Sequence, residues 1–166
     1  MSKLGTPTDV KYFFSILYNT QKVNEKDIKK LVDSQFSSYT NFFPNFNPLI
    51  EYYSKEMGTS LKRVIFCSTK WSPRNRLVHY KLWATEQENQ TACLAKRCLN
   101  IDVGYVAKEQ VVLATGKPYS HRIYLEHGVY AELVYFYQNK SYHKVPWTYP
   151  DYQDQEKIDF FNKHRK

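Results

Sequence analysis

Charged groups, a histidine and polar-edged aromatics recur between Asn100 and Tyr152, inside stretches otherwise patterned as buried strands. Asp102 follows the strand-forming Ile101 and precedes Val103-Gly104-Tyr105. His121 and Arg122 open a short alternating stretch, Glu132 sits within another, and Trp147-Thr148-Tyr149-Pro150-Asp151-Tyr152 closes the region. A buried charge is costly unless it is paired or used, so a site is to be sought here. Two chemistries suit these residue types. One is binding of a phosphate-bearing ligand, a nucleotide or single-stranded RNA. Arg63, Lys81 and Arg122 would supply charge, Tyr105, Tyr124 and Trp147 ring faces, and Tyr149 and Asp151 a wall and an acceptor. The other is a small enzyme in which His121 exchanges a proton, with Glu132 or Asp102 as its carboxylate partner and Arg122 stabilising an anion.

Each group also has a plainer reading. His121 suits the rim of an apolar face, and Arg122 with Glu132 suits a cross-strand ion pair that fixes register. Asp102 can cap a turn, and the aromatic run 147–152 can plug a terminal helix onto a sheet. On a strand, adjacent His121 and Arg122 point to opposite faces, so one pocket takes both only if a bulge intervenes.

The elements that must position these groups follow from periodicity. Val10–Tyr18 is apolar on both faces and reads as a central strand. Asn24 is an N-cap for a helix over Glu25–Phe36, and Pro44 confines Tyr39–Phe46 to a sheet edge. Asn47-Pro48 and Gly58 bracket a short helix, Pro48–Met57. Leu61–Ser68 alternates as a strand, and Ser72-Pro73 opens a helix over Pro73–Leu94. That helix puts Leu77, Lys81, Ala84 and Glu88 on one face. If the face packs on the sheet, Asp102 or Glu132 is the expected partner of Lys81, and Arg122 that of Glu88.

Strands follow at Ile101–Val106, Gln110–Thr115, His121–Leu125, Val129–Gln138 and Tyr142–Val145, then a helix at Gln155–His164. Gly104 marks a bulge or a close backbone approach. Glu126-His127-Gly128 reads as a three-residue hairpin loop, with Gly128 left-handed. That register sets Arg122 opposite Glu132 and Tyr124 opposite Tyr130. The expected fold is a single α+β domain over residues 1–166, a mainly antiparallel sheet with helices packed on one face. Its core is ferredoxin-like, with added C-terminal strands and a C-terminal helix.

Of the net charge of +8, the stretch 61–125 carries most, with 11 Lys and Arg against 4 Asp and Glu. A polyanionic or phosphate-bearing partner and a solvated basic surface both fit that excess. Three cysteines, Cys67, Cys93 and Cys98, give an odd count with no CxxC pair. That argues for packed thiols in a reducing cytoplasm and against a disulfide framework or a zinc site. No apolar run approaches the roughly 18 residues that span a membrane, so no membrane partner is expected.

The strings NIDVGY, LATGKPYSHRIYLEHGVYAEL and VPWTYPDY, together with EYYSKEMGTSLKR and Lys81-Leu82 before Glu88, resemble the bacterial and archaeal family of unknown function DUF4416. The likeness runs from about Val10 to Phe161. Val103 stands where the family tends to have proline, Ala84-Thr85 where it has Thr-Asn, and Lys117-Pro118 where it has a Lys-Asp-like pair. The resemblance implies no activity or cofactor. Some members carry the label GTP-binding protein, but this chain has neither GxxxxGK[ST] nor GxGxxG, and Gly116-Lys117 runs into proline.

Overall fold

The computed structural model describes residues 3–45, 50–92 and 96–165, the side chains of residues 50 and 51 excepted. The expected helix start at Asn47-Pro48, Cys93 and the expected helix end at Leu94 lie outside them. Among the described residues the chain order is β1 (Lys11–Asn19), α1 (Glu25–Asp33), β2 (Tyr39–Phe42), α2 (Ile50–Met57), β3 (Leu61–Ser68), a 3₁₀ turn (Arg74–Arg76), α3 (Leu77–Gln90) and β4 (Leu99–Val106). Then come β5 (Gln110–Thr115), β6 (Arg122–Tyr124), β7 (Tyr130–Gln138), β8 (Ser141–Lys144), a second 3₁₀ turn (Pro150–Tyr152) and α4 (Gln155–His164).

All strand pairings are antiparallel, in the order β2-β3-β1-β4-β5-β7-β6, with β8 also on β7. The first four strands with α1 and α3 form the ferredoxin-like unit, and β5 to β8 extend its sheet on the β4 side. The α+β expectation therefore holds. Its single layer of helices does not. Phe14, Ile16 and Tyr18 of β1 share a core with Ile28 and Val32 of α1 and Leu77 and Ala84 of α3. Phe13 points the other way, and its ring lies 4.7 Å from Phe161 of α4. Because β1 is apolar on both faces, each face needs a cover, and α4 supplies the second.

Local signals decide the element ends. The Asn24 side chain accepts from the Asp27 N–H at 2.9 Å, as its N-cap position requires. α1 closes at Asp33, three residues before the expected end, and α3 starts after a 3₁₀ turn rather than at Pro73. In the 125–129 loop both His127 (φ 51) and Gly128 (φ 76) are left-handed. The pairs Arg122 with Glu132 and Tyr124 with Tyr130 form in the expected register. No helix among the described residues is long and apolar enough to cross a membrane.

One offset in the sheet creates the site. β4 pairs with β1 from Val106 back to Leu99, but with β5 only over Val103–Val106. The edge of β4 from Leu99 to Asp102 therefore faces a notch where the neighbouring strand has already turned away.

Candidate functional site

The notch opens into a cavity of about 530 Å³. α3 lines it with Lys81, Thr85 and Glu88, and the free edge of β4 with Asn100 and Asp102. The end of β5 adds Thr115, Gly116 and Lys117. The aromatic run contributes Tyr149, Asp151 and Tyr152, and α2 contributes Tyr52 and Tyr53.

Behind this wall lies Arg63, whose side chain is wholly buried. Its guanidinium reaches Asp102 at 3.1 Å and Asp151 at 3.0 Å, and it donates to the Ser15 hydroxyl at 2.8 Å. Asp102 also accepts from the Asn100 amide at 3.1 Å. Burial raises the Asp151 carboxyl above its ordinary value, against the opposing pull of Arg63. The Tyr53 hydroxyl is pushed up to about 12, first by burial and then by Asp102. Arg63 is not free to meet a ligand as expected from the sequence. Instead it is consumed in fixing two carboxylates of the cavity wall.

A second cluster is centred on Glu132, also buried. Its Oε2 accepts from Arg122 Nε at 2.7 Å and from the Tyr149 hydroxyl at 3.2 Å, while Oε1 lies 3.3 Å from His121 Nε2. Arg122 donates further to the Tyr149 oxygen at 2.6 Å and to the Lys117 carbonyl at 2.9 Å, tying the turn that carries Lys117 to the hairpin. Burial, then Glu132, pushes the Tyr149 phenol up to about 12.

His121 and Arg122 thus converge on one carboxylate, contrary to the expectation of opposite faces. The reason is local. Arg122 N–H bonds back to the Tyr119 carbonyl at 3.0 Å, so His121 sits in a turn, where strand alternation does not apply. Its ring stacks on Trp147 at 4.8 Å and 13°.

Trp147 in turn donates its indole N–H to the Leu133 carbonyl at 2.8 Å, and Thr148 donates to the Val134 carbonyl at 2.7 Å. Together they fill the gap on the outer edge of β7 between β6 and β8. The aromatic run is therefore both plug and wall. Trp147 itself does not line the cavity, and the two other expected ring contacts also fall elsewhere. Tyr105 is buried in the helix-covered core against Tyr12, and Tyr124 lies exposed beside Tyr130 on the hairpin, outside the cavity.

The helix pair is also partnered differently from expectation. Glu88 Oε1 accepts from the Ile101 N–H at 2.6 Å, a donor left free by the short β5, and not from Arg122. Burial raises its carboxyl above the ordinary value, against the pull of Lys81. Lys81 has neither Asp102 nor Glu132 within 4.0 Å, nor any other carboxylate among the described residues, and the same holds for Lys117. Arg97, missed in the sequence, lines the wall in a bidentate pair with Glu56 at 2.6 and 2.7 Å. Its place just before the Asn100–Asp102 motif was the available signal.

Residues 8–166 match the model of a family described as Domain of unknown function (DUF4416). The chain belongs to that family. No curated protein and no solved structure matches it. The strings that carry the DUF4416 likeness meet in space at the cavity. NIDVGY brings Asn100 and Asp102, ATGKP brings Gly116 and Lys117, WTYPDY brings Tyr149 and Asp151, and EYYSKE brings Tyr52 and Tyr53. Among the described residues, no three His, Cys, Asp or Glu side chains are gathered as a metal site.

Proposed function

We propose that the cavity binds a small phosphate-bearing molecule, of the nucleotide class. The observation that carries this reading is the contrast between its cations. Arg97 on the wall, and Arg63 and Arg122 outside the lining, are each committed to carboxylates, whereas Lys81 and Lys117 line the cavity with no carboxylate within 4.0 Å among the described residues. Two such ammonium groups are well placed to take an anion through charge-assisted hydrogen bonds. The volume lies within the range of about 300–1,000 Å³ usual for small-ligand sites. Four carboxylates, Glu88, Asp102, Glu132 and Asp151, share the wall. A polyanionic strand is repelled by such a wall, while a compact anion with a polar body can use it. That favours a nucleotide over single-stranded RNA.

The test is calorimetric titration with sulfate, inorganic phosphate and nucleoside monophosphates, beside anisotropy with labelled single-stranded RNA. The Lys81→Ala, Lys117→Ala double variant is expected to bind phosphate-bearing ligands at least about tenfold more weakly at unchanged melting temperature, since each charged hydrogen bond contributes about 1.5–3 kcal/mol. Equal affinity of the variant and the wild type would refute the reading. Tight RNA binding with no nucleotide binding would move the partner to the outer surface.

A second reading, a small enzyme using His121, is supported by the 3.3 Å approach of His121 to Glu132. His121 itself is not among the residues lining the cavity, which is why the binding reading is preferred. Hydrolysis of p-nitrophenyl phosphate that disappears in His121→Asn would reverse that preference.

A further inference from the structure

Glu88 is built unlike the other carboxylates of the cavity. Asp102 and Asp151 answer Arg63, and Glu132 answers Arg122, His121 and Tyr149. Glu88 has no cation within 4.0 Å among the described residues, although its residue is buried and lines the cavity. One oxygen, Oε1, is locked by the Ile101 N–H at 2.6 Å. The other has no hydrogen-bond partner among the described residues and belongs to a group on the cavity wall. A carboxyl held by one oxygen and presented by the other is oriented for proton exchange. The charged groups around it are Lys81 on its own helix, Arg97 before β4 and Asp102 on β4, with Lys117, Glu132 and Asp151 on the other walls. Lys81 and Glu88 lie two helical turns apart on one face and line the same cavity, and the Lys81 charge acts on the Glu88 carboxyl across it.

We infer that Glu88 is the proton-exchanging residue of this site: as the neutral acid it donates from Oε2 to an anionic oxygen of the ligand, and one proton is taken up from solvent on binding. The inference rests on the anion-binding reading above. No bond other than O–H is made or broken. The proton enters on the Glu88 carboxylate and leaves it again on release of the ligand. Burial already biases the carboxyl toward its neutral form, and an arriving anion adds a like charge that biases it further.

Sulfate is the probe of choice, because it holds its charge across the range in which a carboxyl titrates. Wild-type affinity for sulfate is expected to rise as pH falls from about 8 to about 5, by at most about tenfold per unit for one proton. Glu88→Gln keeps an oxygen for the Ile101 N–H and offers a permanent donor in place of the acid. It is expected to bind sulfate at every pH as tightly as the wild type does at its acid limit.

A Glu88→Gln protein that melts normally but keeps the wild-type pH slope, or binds more weakly than wild type at pH about 8, overturns the inference and leaves the anion-binding reading standing. Absence of sulfate binding by the wild type at all pH overturns both. Should the variant fold poorly, wild-type titrations in two buffers of different ionisation heat decide the matter. Uptake near one proton supports the inference, and uptake near zero overturns it.

Discussion

Replacing Arg63 by alanine is expected to lower the unfolding free energy by about 3–5 kcal/mol, the usual loss when a buried ion pair keeps its anions and loses its cation. The side chain has no exposed surface, and its guanidinium meets Asp102, Asp151 and the Ser15 hydroxyl within 3.1 Å. The Asp151 carboxyl is almost as buried, so little water replaces the missing cation. Asp102 is more open and is better able to recruit solvent, which places the expected loss short of two fully stranded charges. Denaturant unfolding measures it. A change below about 1 kcal/mol would mean that the cluster is solvated in the native state.

The same variant has a predicted pH signature. Burial holds the Asp151 carboxyl above its ordinary value even with Arg63 present. Without the cation, the Asp151 carboxyl rises further. A carboxyl raised in the folded state is best accommodated below its unfolded value of about 3.9, and its stabilisation is lost as pH rises through the folded value. The deficit of Arg63→Ala against wild type is therefore smallest near the acid end and complete at neutral pH. Adding Asp102→Asn and Asp151→Asn to Arg63→Met removes the charges altogether and is expected to recover much of the loss, since a buried ionic group often contributes little net stability over neutral replacements.

The hairpin register was legible because a three-residue loop ending in glycine leaves one pairing, and Arg122 meets Glu132 as that pairing requires. The ferredoxin-like order was legible from the alternation of strands and helices. The burial of Tyr105 was also within reach. Alternation puts Tyr105 with Ile101 and Val103, on the face opposite Asp102, so the two could not share a wall. Arg63 carries the same lesson, because it alternates with Ile65 and Cys67, both buried. A cation in that row implies buried anions and not an open site. What no pattern in the sequence announced is the offset of β5 against β4. Strand lengths can be read from runs of apolar residues, but the stagger between two strands depends on the turn that joins them, here the one that sets Val106 opposite Val111. The cavity, the free Ile101 N–H and the partner of Glu88 all follow from that stagger.

Gly104→Ala tests how tightly the stagger is held, and it is expected to destabilise by about 1–3 kcal/mol or more. The glycine is needed for space and not for a left-handed backbone. A Cβ at 104 would lie 2.5 Å from the Val112 carbonyl oxygen and 2.5 Å from a ring carbon of Phe13. Phe13 pairs directly with Gly104 across β1 and β4, and its ring is backed by Phe161, so it has little room to swing away. The carbonyl belongs to β5 itself and cannot yield without moving the strand. Both neighbours therefore resist, and the relief available is to spread β4 from β5 where Gly104 opposes Leu113. Leu113 and Thr115 line the cavity, so this movement is expected to weaken the proposed anion binding as well as stability. Phe13→Leu in the Gly104→Ala background separates the two clashes. Recovery of stability by the double variant assigns the cost to the ring. Recovery of neither stability nor binding assigns it to the strand, and makes the approach of β5 to Gly104 the contact that sets the notch.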